Sequence, residues 1–254
     1  MSIPAISLIL FTSGSTSTPK AAVHSNRGLL AAVQNKRAAF QDTLPAALSG
    51  ELSILSGLPY FHVMGFVLDL LFSLHCSIRT FQFTRPGTHP TAEILLEMCN
   101  AVGPSIIETV PLILYDIADL LSRGGVSVCS QYGQTELGGM VLMGQPHGHM
   151  RAMALLPGMS YRLMDPAGRN VAGTGYGEGE LVVLNCRSVF HGYAGSHGQL
   201  GMLSSAAENE VAPPPHVALR TRDVFREVVL DSEAHAVTIR GEPLRQTKQC
   251  YMTG

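Results

Sequence analysis

The stretch ISLILFTSGSTSTPK, at residues 6–20, is the most distinctive part of the sequence. It opens with an apolar run typical of a buried strand, and six of the seven residues from Thr12 to Thr18 then carry a hydroxyl. Gly14 allows a tight turn, and Lys20 adds a positive charge. Hydroxyls, backbone amides and an ammonium group in a loop after a strand suit polyphosphate binding. The stretch therefore predicts a phosphate loop, with an ordinary Ser/Thr-rich linker as the alternative.

The sequence up to residue 125 alternates strand and helix patterns. Ser25 is placed to cap a helix that runs to about Gln41, and Thr91 is placed to cap another that runs to Val102. The other segments predicted here are a strand at 51–58, a helix ending near 75, strands at 78–83 and 105–110, and a helix at 111–121. This alternation favours an α/β fold with a mostly parallel sheet covered by helices.

The pattern changes after residue 126, where short strands alternate with glycine turns. The predicted strands lie at 126–130, 140–143, 161–164, 180–184, 224–230 and 236–240, and a Gly-, Ser-, Ala- and Pro-rich loop lies at 196–215. We expect a smaller antiparallel or mixed β region here. The chain is thus predicted to have two parts, an α/β subdomain with the phosphate loop at 1–125 and a β-rich subdomain at 126–254.

Composition narrows the classes of function. The 254-residue chain has a net charge of −2 and 14% charged residues, so it lacks the basic excess that nucleic-acid binding requires. The 46% hydrophobic content excludes predominant disorder. Five cysteines without a Cys-x-x-Cys pattern favour free thiols in a reducing compartment. The longest apolar stretch, at 63–74, is interrupted by Asp69 and too short to cross a bilayer, so we expect no membrane span and a cytoplasmic location.

Three further segments carry side chains suited to catalysis. QYGQTE ends in Thr135, whose hydroxyl suits a phosphate oxygen, and Glu136, whose carboxylate suits Mg²⁺. A polar turn is the alternative for that segment. LPYFHVMG places His62 between aromatic residues, where a lone histidine is more often a packed core residue than a catalyst. TRD ends in Asp223 before a predicted strand, where an isolated aspartate is usually a cap.

Taken in order, these segments resemble the signatures of the adenylate-forming (AMP-binding) superfamily, which includes acyl-CoA synthetases and peptide-synthetase adenylation domains. The hydroxyl-rich loop resembles its phosphate signature, LPYFHVMG its gating-histidine segment, YGQTE its Tyr-Gly-x-Thr-Glu segment and TRD its Thr-Gly-Asp segment. The sequence of these segments is most similar to those of adenylate-forming reductases and non-ribosomal peptide synthetase-like adenylation domains. The resemblance covers nearly the whole chain and implies a partial large N-terminal domain without the small C-terminal domain.

The resemblance implies a ligase that activates a small-molecule carboxylate with ATP and Mg²⁺, giving an acyl-adenylate and pyrophosphate. The thiol of CoA or of a phosphopantetheine arm would then accept the acyl group. His62 would line the channel for the carboxylate or thiol, and the acyl pocket would be formed from residues 61–66, 108–110 and 131–139. The residues implied to form the loop around the β- and γ-phosphates are Thr12, Ser13, Gly14, Ser15, Thr16, Thr18 and Lys20.

The same resemblance assigns roles to the segments after residue 130. Thr135 would contact the α-phosphate, and Glu136 would hold Mg²⁺. Asp223 would accept hydrogen bonds from the ribose hydroxyls. Tyr132 would pack on the adenine, and Gly133 is counted among the nucleotide-binding residues.

The chain also departs from the pattern that it resembles. Ser17 stands where the phosphate signature usually has glycine, and Arg222 replaces the glycine of Thr-Gly-Asp. Only five residues separate Gly125 from Gln131, where a helix and a strand are expected. We therefore expect a truncated carboxylate-activating enzyme, or alternatively a non-catalytic remnant or partial gene product that at most binds ATP or AMP. In a longer gene product, a carrier-protein or reductase domain would be the expected partner.

Overall fold

The structure of the chain is a computed structural model. It describes residues 6–12, 19–43, 52–83, 90–110, 113, 116–117, 127–144, 152–174, 177–194, 218–231, 234–239 and 248–253. The predicted helix at 111–121, the loop at 196–215 and the predicted boundary between 125 and 126 fall wholly or mostly outside these residues, so these expectations stay predictions. Within the described residues, no helix is both long enough and apolar enough to cross a membrane.

The helices begin where their capping residues predict. Ser25 Oγ accepts a hydrogen bond from the backbone N–H of Gly28 at 3.1 Å, and Thr91 Oγ1 accepts one from Ile94 at 3.4 Å. These two bonds satisfy N–H groups of the first turn, which have no partner within the helix. The structure has helices α1 Asn26–Thr43, a π-helix Met64–Leu71, α2 Phe72–Cys76 and α3 Ala92–Val102.

A small three-stranded sheet holds the two ends of the predicted phosphate loop. Its strands are β1 Ile6–Thr12, β2 Lys20–Ser25 and β11 Gly192–Tyr193, in the order β1-β2-β11. β1 and β2 are antiparallel, with Thr12 opposite Lys20. The predicted loop therefore closes a hairpin, and β2 is a strand that the sequence analysis did not predict.

The large sheet contains the other described strands. It includes β3 Ser53–Ser56, β4 Arg79–Gln82, β5 Ile106–Thr109, β6 Ser127–Gln134, β7 Gly139–Gly144, β8 Ala152–Leu155, β9 Ser160–Met164, β10 Glu178–Leu184, β12 Ala218–Asp231, β13 Ala234–Ile239 and β14 Lys248–Thr253. Their order is β4-β3-β5-β14-β6-β7-β8-β13-β12-β10-β9. Parallel pairing joins β3 to β4 and β5, and the other described pairs are antiparallel. The predicted class, a parallel α/β part followed by an antiparallel β part, is confirmed.

One buried core joins α1, the π-helix and α2 to the sheet. Phe40 and Phe72 are fully buried and pack edge to face with ring centroids 5.3 Å apart. A second core lies on the β-rich side and contains Tyr132, Leu163 and Phe225. The strands β3, β5 and β6 pack against these cores. This packing holds in place the side chains that are described next.

Candidate functional site

Two motifs that lie far apart in the sequence meet between β6 and β12. Tyr132 donates its hydroxyl hydrogen to Asp223 Oδ2 over 2.5 Å. Gln134 Nε2 donates to the same carboxylate oxygen at 3.1 Å and to the carbonyl oxygen of Thr221 at 2.8 Å. The structure thus brings together the tyrosine and the aspartate that the motifs single out, with a glutamine that they do not. We call Tyr132, Gln134 and Asp223 the Tyr–Gln–Asp cluster.

The chemistry of this cluster is that of a neutral donor bound to a carboxylate. Burial, followed by the Asp223 charge, raises the pKa of the Tyr132 hydroxyl above its ordinary value, so the phenol stays protonated. The Tyr132 ring is 4% exposed and packs edge to face on Phe225 at 5.0 Å. Asp223 Oδ1 has no hydrogen-bond partner in the described part of the chain, which leaves it able to accept one. Packing of Tyr132 on adenine stays a prediction.

Arg222 keeps the conformation that glycine would favour at this position. Its φ is 64°, in the left-handed region, which costs an L-residue about 1–2 kcal/mol. Its backbone N–H donates to Glu180 Oε1 at 3.1 Å. The hydrogen bond from Arg220 to Glu180 is the main cause of a lowered pKa for that carboxyl group. The turn before Asp223 is therefore kept, although arginine replaces glycine.

Gly133 has a packing role in the same segment. The pairing of β6 with β7 shifts register between Tyr132 and Gly133. A Cβ atom at Gly133 would lie 1.9 Å from the carbonyl oxygen of Gly139, far inside van der Waals contact. The close approach of the two strands thus requires glycine here, whether or not a nucleotide binds.

Glu136 and Lys20, predicted to act on the phosphates and metal, are linked through one tyrosine. Thr135 and Glu136 belong to a 3₁₀ turn, Thr135–Leu137, in which Thr135 is 9% exposed and Glu136 is half-buried. Tyr193 on β11 donates its hydroxyl hydrogen to Glu136 Oε1 at 2.5 Å. Lys20 Nζ lies 5.3 Å from the centroid of the same ring. The sequence analysis noted no role for Tyr193.

The remaining residues of the predicted phosphate loop lie outside the described residues. These are Ser13, Gly14, Ser15, Thr16 and Thr18. The described ends of the loop, Thr12 and Lys20, are opposite one another in the β1–β2 hairpin. Lys20 therefore lies at the end of the predicted loop, near Tyr193.

The carboxylate of Glu136 suits a magnesium ion that is bound together with a nucleotide. Among the described residues, no group of three or more His, Cys, Asp or Glu side chains is arranged to hold a metal ion. Mg²⁺ is commonly held by one or two carboxylates together with substrate phosphates and water. A single carboxylate at Glu136, with the Lys20 ammonium nearby for phosphate charge, fits that mode of binding.

His62 lies in the turn between β3 and the π-helix. Its Nδ1 accepts a hydrogen bond from the Met64 backbone N–H at 3.3 Å, and its own N–H donates to the Pro59 carbonyl at 3.0 Å. Burial lowers the pKa of His62, and the Asp69 charge opposes that shift. In the neutral imidazole, the nitrogen that accepts from the backbone carries no hydrogen, so Nε2 bears the ring proton and is a hydrogen-bond donor.

A buried ionic cluster, which the sequence analysis did not predict, lies next to this turn. Lys36 Nζ of α1 donates to Glu108 Oε1 of β5 and to the Leu68 carbonyl, both at 2.5 Å. It also lies 3.5 Å from Asp69 Oδ1 of the π-helix. Ser56 of β3 donates to the other oxygen of Asp69. Lys36, Asp69 and Glu108 are each fully buried, and we call them the buried ionic cluster.

This cluster holds two carboxyl groups against one ammonium. Desolvation, followed by the Asp69 charge, raises the pKa of Glu108 well above its ordinary value. We therefore assign a proton to Glu108, which makes the cluster electrically neutral. The rings of Phe40 and Phe72 lie 5.1 and 4.7 Å from Lys36 Nζ. The available sequence signal was two acidic residues, Asp69 and Glu108, each standing in an apolar stretch of sequence.

Comparison with known proteins agrees with this fold. Residues 4–128 match the sequence model of a family described as AMP-binding enzyme. An adenylate-forming reductase from Aspergillus terreus is 26% identical over 200 residues, which are 66% of this chain and 18% of the reductase. The fold matches that of o-succinylbenzoate CoA synthetase from Bacillus subtilis in complex with an acyl-adenylate, with a TM-score of 0.68 at 19% identity over 95% of this chain and 64% of that chain.

A second structural match is a malonyl-CoA ligase with methylmalonyl-CoA and AMP bound. Its TM-score is 0.65 at 24% identity, and the match covers 92% of this chain and 52% of that chain. The predicted resemblance is therefore confirmed, and the chain has the fold of the adenylate-forming enzymes. It spans 18% of the reductase and between half and two thirds of these two structures.

Proposed function

We propose that this chain carries the nucleotide site of an ATP-dependent carboxylate-activating enzyme. The observation that carries the proposal is the contact of Tyr132 and Gln134 with Asp223, next to a turn where Glu136 and Lys20 meet around Tyr193. Two sets of groups are thus present. Asp223 can accept hydrogen bonds from the hydroxyls of a sugar, and Glu136 and Lys20 supply a carboxylate and an ammonium for a metal–polyphosphate.

The proposed reaction assigns each group an ordinary task. A substrate carboxylate oxygen attacks the α-phosphorus of ATP, the bond to the bridging oxygen of the β-phosphate breaks, and pyrophosphate leaves. Asp223 binds the ribose hydroxyls, Thr135 the α-phosphate and Lys20 the charge of the outer phosphates. Mg²⁺, held by Glu136, supplies charge neutralisation when bound. Positioning and electrostatic stabilisation, rather than covalent catalysis, supply the rate in such a transfer.

His62 belongs to the acyl side of the proposed reaction. Its lowered pKa keeps the imidazole neutral near pH 7. Because Nδ1 accepts a hydrogen bond, the ring proton is on Nε2, which can donate to an oxygen of the acyl group. The thiol, from CoA or a phosphopantetheine arm, would attack the acyl carbon and release AMP. The similarity to a malonyl-CoA ligase supports CoA as the acceptor. The similarity to an adenylate-forming reductase supports a phosphopantetheine arm on a fused carrier or reductase domain.

Pyrophosphate release tests the proposal. The purified chain is incubated with Mg·ATP and a panel of aryl and medium-chain carboxylates. We expect release that depends on one of the acids, and a loss of about 100-fold or more in Glu136→Gln. The matched control is Asp165→Asn, which weakens the ion pair and the hydrogen bonds between Asp165 and the exposed Arg169 and should release pyrophosphate normally.

Two results would count against the proposal. If Glu136→Gln releases pyrophosphate at the same rate as the control, Glu136 is not the metal ligand. Binding of Mg·ATP without carboxylate-dependent release would instead identify the alternative function, a nucleotide-binding module that does not turn over.

A further inference from the structure

One side chain, Tyr193, contacts both charged groups of the proposed phosphate side. Its hydroxyl donates to Glu136 Oε1 at 2.5 Å, and its ring lies 5.3 Å from Lys20 Nζ. The carboxylate and the ammonium that a metal–polyphosphate would need are thus already engaged by the same residue. Tyr193 is 37% exposed, so solvent and ligands reach it.

The backbone around Tyr193 fixes it between the two elements that carry those charges. The Phe190 N–H donates to the Glu136 carbonyl at 2.9 Å. The His191 and Ala194 N–H groups both donate to carbonyls of β2 at 2.8 Å. We call Phe190–Ala194 the strap. It ties the Glu136 turn to the strand that begins at Lys20, and the Phe190 ring packs edge to face on Tyr193 at 4.9 Å.

The electrostatics keep the phenol in its donor form. Burial, followed by the hydrogen bond to Glu136, raises the pKa of the Tyr193 hydroxyl above its ordinary value, and the Arg222 charge opposes the shift only in part. The hydroxyl is therefore protonated throughout the neutral range. A cation over the face of an aromatic ring adds a favourable contact of about 0.5–1 kcal/mol at exposed sites. The ligand-free arrangement is thus satisfied without any ion or phosphate.

We propose that Tyr193 is a latch on the nucleotide site, displaced when magnesium–ATP binds. This inference rests on the proposed function and adds to it a residue that competes with the ligand. Glu136 exchanges the phenol O–H for the metal ion, and Lys20 leaves the ring for the phosphate oxygens. The strap keeps the tyrosine in reach, so that release of pyrophosphate with its metal restores the bond to Glu136.

Tyrosine fluorescence measures this displacement directly. The chain contains seven tyrosines and no tryptophan, so tyrosine emission is recorded without interference, and a hydrogen bond to a carboxylate quenches it. We expect emission to rise as Mg·ATP saturates the wild-type chain. Tyr193→Phe should show no such rise, and ATP with EDTA in place of Mg²⁺ should leave the wild-type emission unchanged.

A matched control comes from a second tyrosine–carboxylate pair outside the site. Tyr161 donates to Glu227 Oε1 at 2.9 Å, so Tyr161→Phe removes one such bond and should keep the full wild-type rise. Equilibrium dialysis of labelled Mg·ATP supplies the affinities. Tyr193→Phe should bind Mg·ATP about three- to tenfold more tightly, because no hydrogen bond to Glu136 has to be broken.

The outcomes separate this inference from the function on which it rests. Normal binding of Mg·ATP with unchanged wild-type emission, or weaker binding by Tyr193→Phe, overturns the latch and leaves the nucleotide site in place. No binding by the wild-type chain in dialysis overturns the nucleotide site and the latch together.

Discussion

The proposed nucleotide side, formed by Glu136, Lys20 and Asp223, and the buried ionic cluster are both built from charged side chains, but they differ in exposure. Glu136, Lys20 and Asp223 are partly or fully open to solvent. Lys36, Asp69 and Glu108 have no exposed surface. The first group can exchange its partners for a ligand at small cost. The second cannot lose a partner without leaving a charge buried, which costs several kcal/mol.

This contrast separates residues that affect binding from residues that affect folding. Substitution on the nucleotide side should change affinity for Mg·ATP with little change in stability. Substitution in the buried ionic cluster should change stability first. The same substitution made in both regions therefore tests the comparison directly. Substituting Lys36 and Lys20 in turn should give the largest difference in stability.

Lys36→Met should lower the free energy of unfolding by about 3–5 kcal/mol, because it leaves two buried carboxyl groups without their cation. That is a large part of the roughly 5–15 kcal/mol typical of a folded protein. Lys20→Met, the matched control, should change stability by less than about 0.5 kcal/mol while weakening Mg·ATP binding. Urea unfolding measures both variants. Equal stabilities would show that the buried cluster contributes nothing that the exposed lysine does not.

Glu108→Gln should remove part of the pH dependence of stability. The raised folded-state pKa of Glu108 means that its contribution is complete below the ordinary value of about 4.3 and is lost as the pH rises towards the folded-state pKa. Within that window the wild-type free energy of unfolding should fall by about 1.4 kcal/mol per pH unit for this one proton. Urea unfolding over a pH series measures the slope. Glu136→Gln should keep the wild-type slope, and an unchanged slope in Glu108→Gln would contradict the assignment of the proton.

Arg222→Gly should stabilise the chain by about 0.5–1 kcal/mol, because glycine adopts the positive φ without strain but loses more chain entropy on folding. The neighbouring Val224 is 41% exposed and is not among the described residues with positive φ. Val224→Gly should therefore destabilise the same strand. Thermal unfolding compares the two variants, and a loss of stability in both would show that the turn at Arg222 is not strained.

Asp69→Asn should lower the pKa of His62 further, because the Asp69 charge is the one that opposes the effect of burial. This is the smallest expected effect, and it reports whether the buried ionic cluster influences the acyl side. Histidine-selective NMR titration measures it, with Asp165→Asn as the control that should leave the pKa of His62 unchanged. A rise in that pKa would contradict the placement of Asp69 beside the turn.

Local signals predicted the helices well. Ser25 and Thr91 begin α1 and α3 within one residue of the prediction because capping depends on side chains next to the helix itself. The π-helix was predicted only as an apolar helix. Its packing depends on contacts distant in sequence: a Cβ atom at Gly65 would lie 2.5 Å from the Pro59 carbonyl oxygen.

Strands that depend on distant partners were missed. β2 has two alanines and a lysine among its six residues and takes its stability from pairing with β1. β14 pairs with β5 and β6 over more than a hundred residues of sequence. Neither strand has the alternating pattern from which strands are predicted.

The candidate site shows the same division. Tyr132, Glu136 and Asp223 could be proposed from the sequence because they lie in motifs that can be recognised one segment at a time. Gln134 was expected only as part of the acyl-pocket segment, and no role was expected for Tyr193, because their contacts with Asp223 and Glu136 are made only when the chain folds.

Calorimetric titration of Mg·ATP into the wild-type chain, Asp223→Asn and Glu136→Gln is the most direct test of the account. It asks whether the Tyr–Gln–Asp cluster and the Glu136 turn form one nucleotide site. We expect one molecule of nucleotide per chain in the wild type and at least about tenfold weaker binding in each variant. The two losses should combine in the double variant. No binding by the wild type, or wild-type affinity in both variants, would contradict the existence of that site.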